Sequence, residues 1–132
     1  MTSITSLVFH PPYVARVEDG DLTFELAEPW YRSLPVSCIT DLEVTVNAVA
    51  VPRENVTITI GGTTRTVAEC ADAWEDFWFV QDRATVRLRG VSVGDELRLG
   101  VHLALRIPYI MVGPATALPH HAFGEENFEV VR

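Results

Sequence analysis

Lysine is absent from this chain of 132 residues, and all ten of its basic side chains are arginines. Eighteen aspartates and glutamates outnumber the arginines and give a net charge of −8 at pH 7. Proteins that bind nucleic acid or anionic membranes draw much of their affinity from clustered positive charge. The composition therefore argues against nucleic acid and membrane surfaces as partners.

Long apolar runs are also missing, although nearly half of the residues are hydrophobic. No stretch approaches the roughly 20 apolar residues that span a bilayer. The first residues, MTSITSLVFHPP, lack the basic start and apolar core of a signal peptide. We therefore expect a single domain with a substantial core and a cytoplasmic location.

Cysteine is scarce, with Cys38 and Cys70 as its two copies. In a reducing cytosol both are expected to be buried free thiols. Cys38 follows the apolar residues LPVS, as a buried strand residue would, so we interpret it as inert rather than as a nucleophile.

Histidines are few and poorly spaced for metal binding. His10, His102, His120 and His121 include no His-x-His pair, and adjacent residues on an extended backbone point to opposite faces. We expect no metal site on this chain.

Recognisable catalytic motifs are missing too. The sequence has neither a glycine-rich phosphate loop nor a serine nucleophile elbow. Glu25 with Glu28 and Glu125 with Glu126 are possible carboxylate pairs, but any acidic protein supplies such neighbours, and the separation that defines a glycosidase is not readable from sequence. We predict no catalytic residue on this chain.

Alternation of apolar and polar residues is the main pattern that the sequence does contain. Half-buried strands repeat with a period of two because successive side chains point to opposite faces. The pattern occurs in LTFEL (22–26), DLEVTV (41–46), VTITI (56–60), ATVRLR (84–89) and DELRLGVHLALRI (95–107). We predict a β-strand in each of these segments.

The connections carry turn and cap signals. Asn47-Ala48 and Gly61-Gly62 fall where two-residue hairpin turns join strands, and glycine accepts positive φ more readily than alanine. Thr66 and Glu69 form a capping box that predicts one helix of about two turns. Short strands, frequent turns and one short helix predict an all-β fold, an antiparallel β-sandwich of jelly-roll type.

This pattern divides the chain into three regions. Residues 1–21 form an N-terminal arm that contains Pro11 and Pro12, and residues 22–107 form the β-sandwich domain. Residues 108–132 form an apolar and aromatic tail, which its spaced prolines are expected to keep irregular. We expect this tail to pack on the domain or on a partner.

One aromatic and cationic segment stands out as a candidate contact surface. Trp30, Tyr31 and Arg32 lie side by side between Pro29 and Pro35, where neighbouring side chains cannot all point inward. These residue types are enriched at interface hot spots. A packing corner fits them equally well, because tryptophan and tyrosine are also large core residues.

Other aromatic and basic residues have simpler interpretations. Trp74, Phe77, Trp78 and Phe79 are expected to be mostly core, with Phe77 and Phe79 on one face of a strand and Trp78 on the other. Arg106 lies on the polar face of the last predicted strand. It is either solvated or a fixed-charge donor to a sugar or a partner carboxylate.

Three passages together resemble the small β subunit of the C-glycoside deglycosidases. They are WYRSLPVSCITDLEVTV (30–46), VTITIGGTTRTVAE (56–69) and LRIPYI (105–110), and the resemblance extends from about Leu22 to Tyr109. It implies a β-sandwich subunit of a hetero-oligomer. The implied partner is an α subunit similar to sugar-phosphate isomerases, a TIM barrel that carries acid/base residues and a divalent metal, expected to be manganese. No cofactor is implied for this chain.

The implied reaction is that of a carbon–carbon lyase acting on a 3-keto C-glycoside, often of a flavonoid. A carbon–carbon bond has no bridging oxygen to protonate, so the carboxylate-pair mechanism cannot act on it. With a ketone at C3, a base removes the C2 proton, a metal stabilises the enolate and the aglycone leaves C1. The resemblance thus implies catalytic groups on the α subunit, with the substrate at or near the interface. We expect five residues to contact partner or substrate: Trp30, Tyr31, Arg32, Arg106 and Tyr109.

Two other functions also fit the sequence. A stand-alone carbohydrate-binding module of β-sandwich type would stack sugar rings on Trp30, Tyr31 or Trp78. A cupin-like metalloenzyme would use His10 or His102 with His120. The metal content of the purified chain tests the second alternative, and an isomerase-like gene next to this one would favour the subunit.

Overall fold

β-strands make up most of the chain in the computed structural model, which describes residues 8–30 and 32–132. In chain order the strands are β1 (Val14–Glu18), β2 (Asp21–Ala27), β3 (Leu34–Pro35), β4 (Ile39–Val46), β5 (Val49–Ala50), β6 (Val56–Ile60), β7 (Thr63–Thr66), β8 (Phe77–Trp78), β9 (Arg83–Leu88), β10 (Leu97–Gly113) and β11 (Thr116–Val131). Short 3-10 helices span Val36–Cys38, Arg53–Asn55 and Ala68–Asp72. No helix within the described ranges is long and apolar enough to cross a membrane. The predicted all-β class is confirmed.

Nine of these strands form one sheet in the order β5-β4-β10-β11-β1-β2-β9-β6-β7, and β3 pairs with β8 separately. The β1 and β11 strands are parallel, whereas the other neighbours are antiparallel, so the sheet is mixed rather than purely antiparallel. A tight turn at Asp19-Gly20, with positive φ at both residues, forces β1 to run antiparallel to β2. In that direction β1 runs parallel to β11.

The strands bury one apolar core. The alternate residues Leu22, Phe24 and Leu26 of β2 are buried, as predicted, and residues of β4, β6, β9 and β10 join the same cluster. Phe128 of β11 packs edge-on against Phe24, with ring centres 6.1 Å apart. Strands from both ends of the sheet thus share one core, while the jelly-roll arrangement of layers remains a prediction.

Both predicted two-residue turns are present. Asn47 and Ala48 have φ of 49° and 69°, and Gly61 and Gly62 have φ of 59° and 84°. The Asn47 side chain secures its turn, because Oδ1 accepts the Arg98 N–H at 2.8 Å and Nδ2 donates to the Glu96 carbonyl at 3.3 Å. These bonds account for an alanine in a conformation that favours glycine.

The predicted helix is shorter and tighter than expected. The capping box forms, since the Glu69 N–H donates to Thr66 Oγ1 at 3.2 Å and the Thr66 N–H donates to Glu69 Oε1 at 2.8 Å. The segment Ala68–Asp72 is nevertheless a 3-10 helix and not an α-helix of two turns. The Ala73 N–H donates to the Cys70 carbonyl, and Ala73 itself leaves the helical conformation, which ends the segment after five residues, or fewer than two turns.

The prediction that residues 108–132 are irregular is wrong. The β10 strand continues to Gly113, and β11 pairs with it from Thr116 to Phe128. Proline is tolerated because Pro108 lies at a register shift, Pro114 lies in the turn, and Pro119 lies where β11 has one paired neighbour.

The far end of this hairpin projects beyond the rest of the sheet. Pairing of β10 with β4 ends at Leu105, and pairing of β11 with β1 involves only Glu129–Val131. Residues 108–118 therefore form a two-stranded ribbon, which we call the distal ribbon.

Candidate functional site

Trp30, Arg32 and Tyr109 meet at the base of the distal ribbon. The Trp30 indole N–H donates to the Tyr109 hydroxyl, and the Arg32 guanidinium carbon lies 5.4 Å from the centre of the Tyr109 ring. The His120 ring packs edge-on against Trp30, with ring centres 4.8 Å apart. We call these four residues the Trp30 cluster. Three of the five predicted contact residues thus come together, while Tyr31 lies outside the described residues.

The Trp30 cluster combines a fixed base with an exposed top. Trp30 is partly buried and packs against the core, whereas Tyr109 is 46% exposed. The Trp30 indole N–H holds the Tyr109 ring at its hydroxyl, and the Arg32 guanidinium holds it at one face. Such a fixed and exposed aromatic ring is suited to contact with another molecule.

Glu28 supports this cluster from below. Its Oε1 accepts the Trp30 backbone N–H at 2.7 Å, and the residue is only 5% exposed. Within the described residues, Oε2 is buried without a hydrogen-bond partner. Burial raises the pKa of Glu28 to about 7, although the Trp30 N–H acts in the opposite direction. Glu25, its suggested partner in a glycosidase pair, is exposed on β2.

Arg106 occupies a different place from the Trp30 cluster. It lines a surface cavity of about 760 Å³, together with Ile39 and Thr40 of β4 and residues of the third 3-10 helix. A cavity of this volume is in the range of small-molecule sites. Arg53, also in its wall, forms two 2.7 Å bonds to Asp41. The sequence did not predict this cavity, because separate segments build its wall.

Cys38 and Cys70 are free and buried, as predicted. Burial raises the pKa of the Cys38 thiol, while the positive charge and hydrogen bond of Arg106 act in the opposite direction. Burial likewise raises the pKa of Cys70 to about 11. Neither thiol ionises readily near neutral pH, so neither is suited to nucleophilic attack.

The histidines contact different neighbours. His102 Nε2 lies 2.8 Å from His121 Nδ1, and the His102 ring stacks on Phe123 with centres 4.4 Å apart. His10 lies 3.2 Å from an Arg83 nitrogen, and His120 contacts Trp30. Thus the structure does not bring together the histidines that a cupin-like site would use. Among residues 8–30 and 32–132, no group of three or more candidate ligands is placed to hold a metal ion. The contact between His102 and His121 joins the neighbouring strands β10 and β11. Only knowledge of the register between these strands could have predicted it.

The interpretation of the 74–79 aromatics as mostly core is wrong for three of the four. Trp78 is buried and donates its indole N–H to the Asp82 carbonyl at 3.1 Å. Phe77 and Phe79 share one face, as predicted, but that face is exposed, and Trp74 is 68% exposed. A strand so short has one inward position, which Trp78 fills. Trp78 is therefore not accessible for stacking on a sugar.

Comparison with known proteins agrees with the resemblance seen in the sequence. The family model described as C-glycoside deglycosidase beta subunit matches residues 16–109, which include Trp30, Arg32, Arg106 and Tyr109. A C-glycoside deglycosidase beta subunit of Arthrobacter globiformis is 39% identical over 89 residues, or 65% of this chain and 67% of the relative. The 3'-dehydrocarminate deglycosidase beta subunit of a Microbacterium species is 37% identical over 100 residues, covering 72% and 73% of the two chains.

The fold and the cluster define an all-β protein with an exposed aromatic cluster at the base of the distal ribbon. By the extent of these matches, the chain belongs to the C-glycoside deglycosidase beta subunit family. The family predicted from the three sequence passages is therefore confirmed.

Proposed function

We propose that this chain is the small β subunit of a heteromeric C-glycoside deglycosidase and acts by packing against a larger α subunit. Relatives described as beta subunits support a role within an assembly. The observation that carries the proposal is the Trp30 cluster at the base of the distal ribbon, where Tyr109, Met111 and Val112 are exposed. Contiguous exposed apolar side chains mark interaction surfaces on proteins of this size.

The proposed partner is an α subunit that resembles a sugar-phosphate isomerase TIM barrel. We assign to it the divalent metal, expected to be manganese, and the acid/base residues. The substrate is a 3-keto C-glycoside, such as an oxidised flavonoid C-glycoside, bound at or near the interface. The assembly is a cytoplasmic carbon–carbon lyase of carbohydrate and flavonoid C-glycoside catabolism.

The residues of this chain would shape and cover that site. Tyr109 offers a ring face for an aromatic aglycone or an apolar side chain of the partner. The Arg32 guanidinium, which covers that ring, and Arg106 offer fixed positive charge to a substrate oxygen or a carboxylate. None of these residues removes a proton in this proposal, which assigns that step to the acid/base residues of the α subunit.

Reconstitution tests the proposal directly. The chain is purified alone and with the isomerase-like subunit of a neighbouring gene, and assembly is measured by native mass spectrometry. Cleavage of a 3-keto C-glycoside is then followed by chromatography of the released aglycone. We expect a stable complex that is active and an isolated chain that is inactive and holds no stoichiometric divalent metal. Turnover by this chain alone, or failure of the two chains to assemble, would refute the proposal.

A further inference from the structure

Four large apolar side chains near β8 are exposed without a role in the proposed Trp30 contact. They are Trp74, Phe77, Phe79 and Val80, which we call the aromatic loop. The Phe77 and Phe79 rings stack with centres 6.2 Å apart. Buried Trp78 between them and the pairing of β8 with β3 hold this loop in place. Exposed rings in a fixed conformation lose little entropy on binding, as expected of an interface.

The aromatic loop adjoins the Trp30 cluster. The Val80 N–H donates to Ser33 Oγ at 3.0 Å, and the preceding residue, Arg32, covers the Tyr109 ring. The aromatic loop and the distal ribbon are therefore parts of one surface, with Ser33 and Arg32 between them.

The two parts of this surface differ in charge. Five carboxylates lie in the segment from Glu69 to Asp82, which contains no arginine, and one of them, Asp76, is paired with Arg65 outside the segment. Residues 97–124 contain none of the chain's 18 carboxylates. Arg32, beside the distal ribbon, and Arg106, in the wall of the surface cavity, form no ion pair with any carboxylate of the described residues. An acidic aromatic part thus meets a basic aromatic part on a chain of net charge −8.

We infer that the aromatic loop is a second contact for the α subunit and that it fixes the orientation of docking by charge. The partner surface has an apolar centre, a basic region opposite Asp72 and Glu75, and an acidic region opposite Arg32. Complementary charges of this kind raise the association rate and exclude the reversed orientation. This inference rests on the proposed function, since it extends the same surface.

The α subunit fits this surface better than a second copy of the chain does. Two copies, each with a net charge of −8, repel one another at long range. The surface is also continuous with the Trp30 cluster that we assign to the α subunit. Self-association is accordingly an outcome that would count against the inference.

Removal of the exposed rings tests the contact. The double variant Trp74→Ala/Phe79→Ala should weaken α binding by at least tenfold in titration calorimetry, because interface aromatic residues dominate binding energy. Its melting temperature should stay close to that of the wild type, since both rings are exposed. The matched control is Val49→Ala on the edge strand β5, where the side chain is 69% exposed, and it should bind like the wild type.

Charge reversal tests the orientation. Glu75→Arg should slow association with the α subunit and reduce its dependence on salt, because it places positive charge opposite a basic region. Asp95→Arg changes the net charge equally at an exposed site outside the aromatic loop, so it should have a clearly smaller effect. Equal effects of the two reversals would refute orientation by charge.

The outcomes separate this inference from the proposed function. If Tyr109→Ala weakens assembly while the aromatic-loop variant binds like the wild type, the inference is wrong and the proposed function stands. If wild-type chains do not assemble, both are wrong. If light scattering finds dimers of the isolated chain that the loop variant abolishes without loss of α binding, the surface binds a second copy instead.

Discussion

The two halves of the β10–β11 hairpin are both rich in apolar residues, yet only one of them is buried. From Leu97 to Ile107 apolar residues alternate, and Leu99, Leu103 and Ile107 are fully buried beneath neighbouring strands. In the distal ribbon, Met111 and Val112 are exposed, because within residues 8–30 and 32–132 no strand other than β10 and β11 pairs there. Apolar composition alone does not distinguish a buried segment from an exposed one. Alternation does, since it requires one face in water and the other in the core.

The largest expected effect is a difference in the free energy of unfolding between a variant truncated in the buried half of the hairpin and one truncated in the distal ribbon. Leu103→Ala leaves a cavity in the core and should lower the free energy of unfolding by about 3 kcal/mol. Met111→Ala should change it by less than about 0.5 kcal/mol, since the side chain is already in water. Urea denaturation of the two variants measures both effects. Similar losses would mean that the distal ribbon belongs to the core.

Glu28, beneath Trp30 where the two halves meet, should make stability depend on pH. Its pKa rises from 4.5 to about 7 on folding, so the native protein keeps this proton longer than the unfolded chain. The stability that this group contributes is full below pH 4.5, falls between pH 4.5 and 7, and is lost above pH 7. Glu28→Gln should therefore raise the free energy of unfolding at pH 8 by roughly 2 kcal/mol.

A control for Glu28 comes from the same variant at low pH. At pH 4 the protonated carboxyl and the amide are both neutral, so the difference between wild type and Glu28→Gln should nearly vanish. Glu25→Gln, at an exposed site on the same strand, should have little effect at either pH. A stability difference that is independent of pH would mean that Glu28 does not titrate in this range.

Substitution of Trp30, at the base of the Trp30 cluster, should mainly affect the stability of the chain, whereas substitution of Arg32, at its exposed top, should mainly affect assembly. Trp30→Ala should destabilise the isolated chain by about 1–2 kcal/mol, because it removes half-buried packing and a hydrogen bond. Arg32→Ala should alter stability by less than about 0.5 kcal/mol but weaken assembly by about 2 kcal/mol. Thermal melting of the free chain and titration with the α subunit measure the two quantities. An Arg32→Ala chain that assembles normally but melts early would show a packing corner instead of an interface.

The smallest expected effect is on amide exchange in the distal ribbon. Between Tyr109 and Val112 the register pairs Met111 with Ala117 and shifts on either side of that pair, so the amide hydrogens of this segment should exchange faster than those of Leu99 through Leu105. Binding of the α subunit should slow exchange in the ribbon and leave the buried half unchanged. Hydrogen exchange with mass spectrometry tests this. Strong protection of the ribbon in the free chain would contradict the expectation.

Sequence reasoning succeeded where local chemistry decides the structure. The alternation of Leu22, Phe24 and Leu26, the Gly61-Gly62 turn and the Thr66–Glu69 capping box depend on near neighbours, and all are present. The family was recognised from order and spacing along the chain.

Prediction from the sequence failed where contacts between distant segments determine the structure. Prolines in residues 108–132 suggested an irregular tail, but a proline is harmless where its missing N–H needs no partner, and strand pairing determines where that is. The outward direction of Phe77 depends on Trp78 filling the core. The contact between Trp30 and Tyr109 joins residues 79 apart, so the sequence could name both without placing them together.

The position of β11 in the sheet has a consequence for biosynthesis. This strand lies between β10 and β1 and is the link between the two parts of the sheet, yet it is synthesised after every strand that it joins. A growing chain that has reached β10 therefore carries two sheet edges, on β1 and on β10, that are still open. Open edges are templates for aberrant pairing with other chains. The sheet therefore closes only after β11 has been synthesised, and until then the edges of β1 and β10 are open to other chains.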